Sequence, residues 1–335
     1  MTLYRGTVID TPGDPFTGHP GDALRVESDG ALLVRDGIIV ARGDFATLRA
    51  AHPDEPVTEL TGGLLLPGFI DTHVHYPQLR AIGGLGMPLL DWLDKCALPE
   101  ESRLADPTYA ADVAQEFVTE LVAHGTTTAL VFGSHFEPAM DILFATAQDL
   151  GLNLTTGLVL SDRILRPDLL CSPAHALTAS RGLIDRWHGK GRLRYAVTPR
   201  FSLSTTDEML DVCAELLGPG NGSDVWFTTH VNENPAEVAT VADLFPGTAH
   251  YIDTYHRHGL LTDHSVFAHN VHPTDPELDL MARAGAWTAH VVLPWAGTAR
   301  CRRRRRSPAR RRRRGLPHQQ LRAGQRTVPA APARR

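Results

Sequence analysis

The stretch on which the rest of the chain depends is Leu64-Leu-Leu-Pro-Gly-Phe-Ile-Asp-Thr-His-Val-His-Tyr-Pro-Gln78. Its apolar first half, residues 64–70, predicts a buried strand interrupted by a Pro-Gly pair. His73 and His75 follow, and side chains two residues apart in a strand point to the same side of a sheet. Two neutral imidazoles side by side are good ligands for zinc or iron. Because the chain contains 17 histidines, a chance His-x-His pair explains this motif equally well on its own.

Beyond this stretch, predicted strands alternate with segments of helical periodicity. Counting the strand before His73, seven strands are predicted, the others near residues 126–132, 154–160, 193–197, 225–229, 265–268 and 286–289. Alternation at this spacing indicates βα units and a parallel sheet. A (β/α)8 barrel needs eight strands and places its active site at their carboxyl ends. An open doubly wound sheet is the alternative, but no Gly-x-Gly-x-x-Gly motif opens a helix here.

The length of 335 residues fits one α/β barrel of about 250 residues with an appendage. Residues 1–66 are expected to form a small β appendage, with Ser28-Asp29-Gly30 and Asp36-Gly37 as hairpin turns. Residues 67–290 would form the barrel. Within it, Leu89, Leu90 and Leu93 predict an apolar helical face, and Trp92 is expected in a packed core rather than in a pocket.

Composition favours a cytoplasmic protein. The start of the chain carries no basic segment followed by an apolar one, so no secretory signal is predicted. No apolar run approaches the roughly 18 residues of a membrane span. The four cysteines are scattered without a Cys-x-x-Cys pair, which argues against a disulfide framework and a cysteine-ligated zinc. The reducing cytoplasm is the expected location.

The net charge of −5 conceals two very different parts. All 38 acidic residues precede residue 291, whereas the last 45 residues hold 15 arginines and no acid. In those 45 residues, 30 are Arg, Ala, Pro or Gly, and no helical or strand period survives. These four residue types have GC-rich codons, so the first expectation for residues 291–335 is a disordered, out-of-frame tail. A basic nucleic-acid or targeting tail and a plain disordered tail are the alternatives.

Polar side chains follow several predicted strands, and the barrel would bring them to one mouth. His230 ends strand five and His269 ends strand six, so with His73 and His75 they predict a metal site. Glu233 lies close enough to His230 to move protons next to a metal. Arg200 and Phe201 end strand four, and an arginine fork beside an aromatic ring suits a planar ligand with carbonyl oxygens. A surface arginine and an exposed loop glutamate are the ordinary alternatives.

These motifs together resemble the amidohydrolase superfamily and, within it, the guanine deaminases. The resemblance spans residues 3–290. It rests on Pro-Gly-Phe-Ile-Asp-Thr-His-Val-His-Tyr-Pro-Gln, Leu-Leu-Asp-Trp-Leu, His-Gly-Thr-Thr-Thr, Thr-Pro-Arg-Phe-Ser-Leu-Ser and His-Val-Asn-Glu-Asn. The first and fourth of these are the most specific.

The resemblance implies a (β/α)8 barrel with a β-sandwich and one zinc per chain. The zinc would be held by His73, His75, His230 and an aspartate on strand eight. Gln78, Arg200 and Phe201 would hold guanine, Glu233 would shuttle protons, and His269 would place the attacking water. The implied reaction is hydrolysis of guanine to xanthine and ammonia in purine catabolism. A homodimer is left open.

One departure from the family concerns strand eight. No Asp or Glu follows Asp279, so the family's Gly-Thr-Asp signature is missing and the barrel is expected to be incomplete. Negligible guanine deaminase activity and poor solubility are therefore expected of this chain. The alternatives are another amidohydrolase that deaminates a different purine, pyrimidine or triazine, and a non-catalytic remnant with a basic nucleic-acid-binding tail. The Arg200-Phe201 pair favours the guanine deaminases, and nucleic-acid and membrane partners are not expected.

Overall fold

The computed structural model describes residues 1–14, 19–84, 87–218 and 224–291. These residues fall into two compact units, residues 1–69 and residues 70–291. The predicted tail, except for Val291, lies outside the described residues. No described helix is both long enough and apolar enough to cross a membrane.

The first unit is a four-stranded mixed sheet with one helix. Its sheet order is β3-β2-β1-β4, in which β1 pairs antiparallel with β2 and parallel with β4. Leu3, Ala31 and Leu33 form its buried core. The elements are β1 (Thr2–Asp10), β2 (Arg25–Arg35), β3 (Ile38–Asp44), α1 (Phe45–Ala51) and β4 (Val57–Leu65).

Two local predictions for this unit have different outcomes. Asp36 and Gly37 join β2 to β3 with positive φ angles of 49° and 74°, as the hairpin signal predicts. The expected turn at Ser28-Asp29-Gly30 is wrong, because these residues lie inside β2. The pairing register of β1 and β2 shifts between Gly6 and Val8. Gly30, which pairs with Gly6, therefore lies next to a β-bulge and not in a turn.

The second unit is a nearly closed parallel barrel of seven strands, as predicted from the alternation. The sheet order among the described residues is β12-β11-β10-β9-β7-β6-β5, and the two-residue β8 pairs with β9. The seven barrel strands are β5 (Phe69–His75), β6 (Thr126–Phe132), β7 (Asn153–Gly157), β9 (Leu193–Pro199), β10 (Trp226–Val231), β11 (Ser265–His269) and β12 (Trp287–Ala289), and the additional β8 is Val159–Leu160.

Helices separate these strands and supply much of the apolar core. Asp106 caps α4 by accepting a hydrogen bond from the backbone N–H of Thr108, as the Asp-Pro sequence predicts. The helices are α2 (Leu89–Trp92), α3 (Leu98–Ser102), α4 (Pro107–Ala123), α5 (Glu137–Leu150), α6 (Pro173–Trp187), α7 (Asp207–Leu217), α8 (Pro235–Leu244), α9 (Asp253–His256) and α10 (Asp275–Ala284). A π-helical turn, Leu93–Ala97, joins α2 to α3.

The prediction of one buried strand over residues 64–70 is wrong. The Pro-Gly pair divides the run, so that Leu64 belongs to β4 and Phe69 begins β5. Proline cannot donate to a strand ladder, which explains the break. Phe69 and Ile70 are 61% and 67% exposed, so the apolar character of this run does not reflect burial within the described chain.

Candidate active site

Three histidines from two strands meet at the carboxyl end of the barrel sheet. His73 and His75 end β5, and His230 lies next to the end of β10. One ring nitrogen of each lies within 4.8 Å of the others. The ring centroid of His73 is 5.0 Å from that of His75 and 4.9 Å from that of His230. The strand period and the shared carboxyl edge together produce this cluster.

Hydrogen bonds fix which nitrogens are left for a ligand. Nδ1 of His230 lies 2.7 Å from the carbonyl oxygen of Arg200, so Nδ1 carries the hydrogen and Nε2 keeps its lone pair. That Nε2 lies 3.0 Å from Nε2 of His75. Both ring nitrogens of His73 are buried without a hydrogen-bond partner. Buried polar atoms are almost always hydrogen-bonded. A cation bound among the three rings would give the His73 nitrogens the partner that they lack.

The histidines are held in the form that binds metal. Burial, followed by the neighbouring imidazoles, lowers the pKa of His73 and of His230 well below the ordinary value. Burial and then the charge of Arg200 lower the pKa of His75 to about 3. All three rings are therefore neutral at neutral pH. Three neutral nitrogen donors without a cysteine fit a catalytic zinc, which uses three protein ligands and keeps a further position open.

A carboxyl group and a fourth histidine lie beside this cluster. Oε1 of Glu233 is 3.5 Å from Nε2 of His269, and the other ring nitrogen of His269 donates to the carbonyl oxygen of Val291 at 3.1 Å. Burial, followed by the charge of Glu237, raises the pKa of Glu233 to about 8. Burial lowers the pKa of His269 to about 4. At neutral pH the carboxyl group therefore carries a proton and the imidazole does not.

Glu237 fixes the loop that carries Glu233. Its Oε2 accepts the backbone N–H of Glu233 at 3.1 Å and that of Asn234 at 3.2 Å, and its Oε1 accepts from Tyr251 at 2.6 Å. The bond from the Glu233 N–H to the Glu237 carboxylate ties the backbone of Glu233 to the start of α8. Sequence reasoning missed this role, although Asn234-Pro-Ala-Glu237 is a capping-box pattern that could have indicated it.

Arg200 forms a buried ion pair that the sequence did not reveal. Its Nη1 donates to Oε2 of Glu101 at 2.6 Å, and its Nη2 donates to Oε1 at 3.0 Å. Nε2 of Gln78 donates to the same Oε1 at 2.8 Å. Burial alone would raise the pKa of Glu101, but Arg200 and then His135 hold it well below its usual range. His135 Nε2 lies 3.5 Å from Oε2.

All eight residues singled out from the sequence line one cavity of about 180 Å³. They are His73, His75, Gln78, Arg200, Phe201, His230, Glu233 and His269. The volume suits a small heterocycle, because pockets for drug-sized ligands measure about 300–1,000 Å³. Leu89, Trp92 and Leu93 complete the wall with Val291. The expectation that Trp92 packs in the core was therefore wrong, and the tryptophan is half-buried at the cavity.

This barrel carries a cluster of three histidines that could hold a metal ion. The amidohydrolase family model matches residues 64–314, and a model of the imidazolonepropionase-like composite domain of bacteria matches residues 30–54. The first match covers most of the chain. The chain belongs to the amidohydrolase family.

Its relatives include several guanine deaminases. The probable guanine deaminase of Deinococcus radiodurans is 55% identical over 295 residues, which cover 87% of this chain and 66% of that protein. The guanine deaminase of Escherichia coli K12 is 38% identical over 84% of this chain and 64% of that protein. The solved structure of the E. coli guanine deaminase matches with a TM-score of 0.83 and 36% identity, over 87% of this chain and 67% of that one. This chain thus spans about two thirds of the length of these relatives.

Proposed function

We propose that this site binds zinc and guanine and is built for the hydrolytic deamination of guanine to xanthine and ammonia. The observation that carries the proposal is one cavity lined by the three clustered histidines, by Glu233 and by Arg200, whose guanidinium is paired with the buried Glu101. The similarity to guanine deaminases supports this choice within the amidohydrolase family.

His73, His75 and His230 would hold the zinc. When bound, the metal would supply the Lewis acidity that activates water for attack on a ring carbon. The protein's own contribution begins with orientation. The Arg200 carbonyl fixes the His230 tautomer, and the strand period points the other two imidazoles to the same side.

Glu233 would move the protons. Water adds its oxygen to C2 of guanine, and the neighbouring ring nitrogen must receive a proton before the amino group can leave as ammonia. A carboxyl group whose pKa is about 8 can give a proton and take one back near neutral pH. Nε2 of His269 is free to accept, because the other ring nitrogen donates to Val291. Glu233 and His269 would therefore pass protons between the attacking water and the leaving group.

Gln78, Arg200 and Phe201 would hold the purine. Arg200 offers N–H donors to a ring carbonyl, and the amide of Gln78 offers an acceptor to a ring N–H. Phe201 is buried next to the histidine cluster, with its ring centroid 6.4 Å from that of His230. The described cysteines Cys96, Cys171 and Cys213 are unpaired, which suits the cytoplasmic location that we propose.

The test combines binding with turnover, because a low rate is expected of a chain with no acid after Asp279. Hypoxanthine keeps the carbonyl and ring N–H of guanine but has no amino group to lose. The zinc-loaded 335-residue protein should bind hypoxanthine, reject adenine and release xanthine slowly from guanine. Equilibrium dialysis measures the binding, and ultraviolet absorbance measures xanthine. Equal affinity for adenine, or absence of hypoxanthine binding, would contradict the proposal.

A further inference from the structure

Glu101 lies at the centre of the buried polar network but does not line the cavity. Only 2% of its surface is exposed, and its carboxylate bonds to Gln78 and Arg200, which both line the cavity. We propose that Glu101 is a positioning residue that sets the donor and acceptor pattern of the ligand cavity. This inference rests on the proposed function, since it names the residue that would select a neutral purine with a carbonyl next to a ring N–H.

Glu101 fixes the orientation of the Gln78 amide. A carboxylate only accepts hydrogen bonds, so the group that faces Glu101 at 2.8 Å must be the amide NH2. This contact removes the ambiguity between oxygen and nitrogen that a glutamine side chain usually leaves. The amide oxygen therefore remains as the acceptor that Gln78 offers to a ligand. A ligand that matches it must carry an N–H at that edge.

Glu101 also fixes the guanidinium group of Arg200. Two of its five N–H groups bond to the two oxygens of Glu101 in a bidentate arrangement. The pair holds the guanidinium plane in one orientation and leaves donors for a carbonyl oxygen. One carboxylate thus fixes the acceptor on Gln78 and the donors on Arg200 together.

Glu101 and Arg200 carry opposite charges in a buried ion pair. Glu101 and Arg200 are 2% and 3% exposed, so their opposite charges cancel in a region that water hardly screens. The cavity therefore presents a polar but neutral recognition edge. Without the carboxylate, a buried guanidinium would stand uncompensated and would attract an anionic ligand. Glu101 accordingly selects a neutral lactam ring over its anionic analogues.

The position of Glu101 along the chain links recognition to the cavity wall. It lies on α3, which the π-helical turn Leu93–Ala97 joins directly to α2. Leu89, Trp92 and Leu93 on this segment line the cavity. Through its bonds to Gln78 and Arg200, Glu101 connects this cavity wall to the turn after β5 and to the end of β9. A shorter carboxylate would be unable to reach both Gln78 and Arg200.

The experiment compares three variants of the zinc-loaded 335-residue protein. Glu101→Gln keeps the shape but removes the charge, and it replaces one accepting oxygen by an NH2 group that cannot accept from Arg200 or Gln78. Glu101→Asp keeps the charge but shortens the reach, and it serves as the decisive variant if Glu101→Gln fails to fold. Glu100→Gln is the matched control, because Glu100 pairs with Arg103 and Tyr109 and does not line the cavity.

Two probes are measured by equilibrium dialysis: hypoxanthine, which is neutral, and urate, a purine that is anionic at neutral pH. Glu101→Gln should weaken the binding of hypoxanthine about 10- to 100-fold and strengthen the binding of urate by about 10-fold or more. Glu101→Asp should weaken the binding of hypoxanthine without strengthening the binding of urate. Glu100→Gln should change neither affinity. Circular dichroism and zinc content establish that each variant is folded and loaded.

Several outcomes would overturn the inference. A folded Glu101→Gln protein that binds both probes as the parent does would show that Glu101 sets no pattern, and the proposed function would stand. An equal loss of both probes would indicate a merely structural role. If Glu101→Gln does not fold, unchanged hypoxanthine binding by Glu101→Asp would be the refuting result. If the parent protein binds no hypoxanthine at all, the proposed function itself fails, and this inference fails with it.

Discussion

Acidification of the zinc-free protein should remove the part of the folding free energy that depends on the buried neutral imidazoles of the site, which amounts to several kcal/mol. Burial, with lesser charge effects, lowers the pKa of His75 to about 3 and that of His269 to about 4, against 6.5 for an unperturbed histidine. As the pH falls below 6.5, the unfolded chain therefore takes up protons that the folded chain refuses. The stability that depends on these rings is fully present above that pH and decreases below it.

The size of the effect follows from the two shifts. At about pH 5, each of these two histidines costs about 2 kcal/mol relative to neutral pH, or about 4 kcal/mol together. Burial lowers the pKa of His73 and of His230 as well, so these residues act in the same direction. A loss of about 4 kcal/mol is large beside a typical total stability of about 5–15 kcal/mol.

Urea unfolding followed by circular dichroism, with a chelator present, measures this loss at about pH 7.5 and about pH 5. Glu233, whose pKa is raised to about 8, takes up its proton more readily in the folded chain and stabilises it as the pH falls. The comparison that isolates the histidine is therefore His75→Gln against the parent. This variant should lose about 2 kcal/mol less than the parent over the same interval. His124→Gln is the control, because the side chain of His124 is 78% exposed and its imidazole is in water whether or not the chain is folded.

The reasoning is refuted if His75→Gln and the parent lose the same free energy between the two pH values. That result would mean that the His75 ring takes up its proton as readily in the folded protein as in the unfolded chain. Saturating zinc offers an independent check, since the metal binds the neutral rings of the folded state and should raise the midpoint at neutral pH.

Four further predictions concern single residues and the tail. His230→Ala should weaken zinc by more than about 100-fold in a chelator competition, because even outer partners of metal ligands are worth about 10- to 100-fold; equal zinc affinity would remove His230 from the site. Arg200→Ala should cost about 2–4 kcal/mol of hypoxanthine binding by dialysis, and unchanged binding would place the purine elsewhere. Glu233→Gln should keep zinc but slow xanthine formation by about 10²–10⁴-fold; a rate near that of the parent would mean that another group moves the protons. DNA sequencing should find codons for Cys-Pro-x-Ser-Asn and Gly-Thr-Asp in another frame beyond codon 290, and their absence from every frame would make the arginine tail a real part of the protein.

Local chemistry made the strands and the histidine cluster predictable. The two-residue period places His73 and His75 together, and the repeated strand and helix pattern places His230 at the same edge. The Asp-Pro start of α4 was equally readable, because an N-cap acts within one helical turn. Each of these features depends on neighbours in sequence or on a regular repeat.

Features that depend on distant partners were not predictable. Arg200 has no acidic residue close in sequence, and Glu101, its partner, lies 99 positions away. Nothing in the local sequence of α3 distinguishes the buried Glu101 from Glu100, whose partner Arg103 is largely exposed. Apolar content did not predict burial either, since Phe69 and Ile70 are exposed in the described chain. Pairing and burial are tertiary properties, and a single sequence records them only indirectly.

Arg200 connects the metal end of the cavity to its recognition end through two different groups. Its carbonyl oxygen accepts from Nδ1 of His230 at 2.7 Å and from the backbone N–H of His230 at 3.2 Å. Its own N–H donates to the carbonyl oxygen of Leu160 at 3.0 Å, which fixes this backbone independently of the side chain. The guanidinium alone makes the contact with Glu101. Arg200→Ala should therefore weaken hypoxanthine binding while leaving zinc affinity unchanged, because the carbonyl that orients the metal ligand stays in place. A parallel loss of zinc would mean that the ion pair, and not the strand end, holds that carbonyl in position.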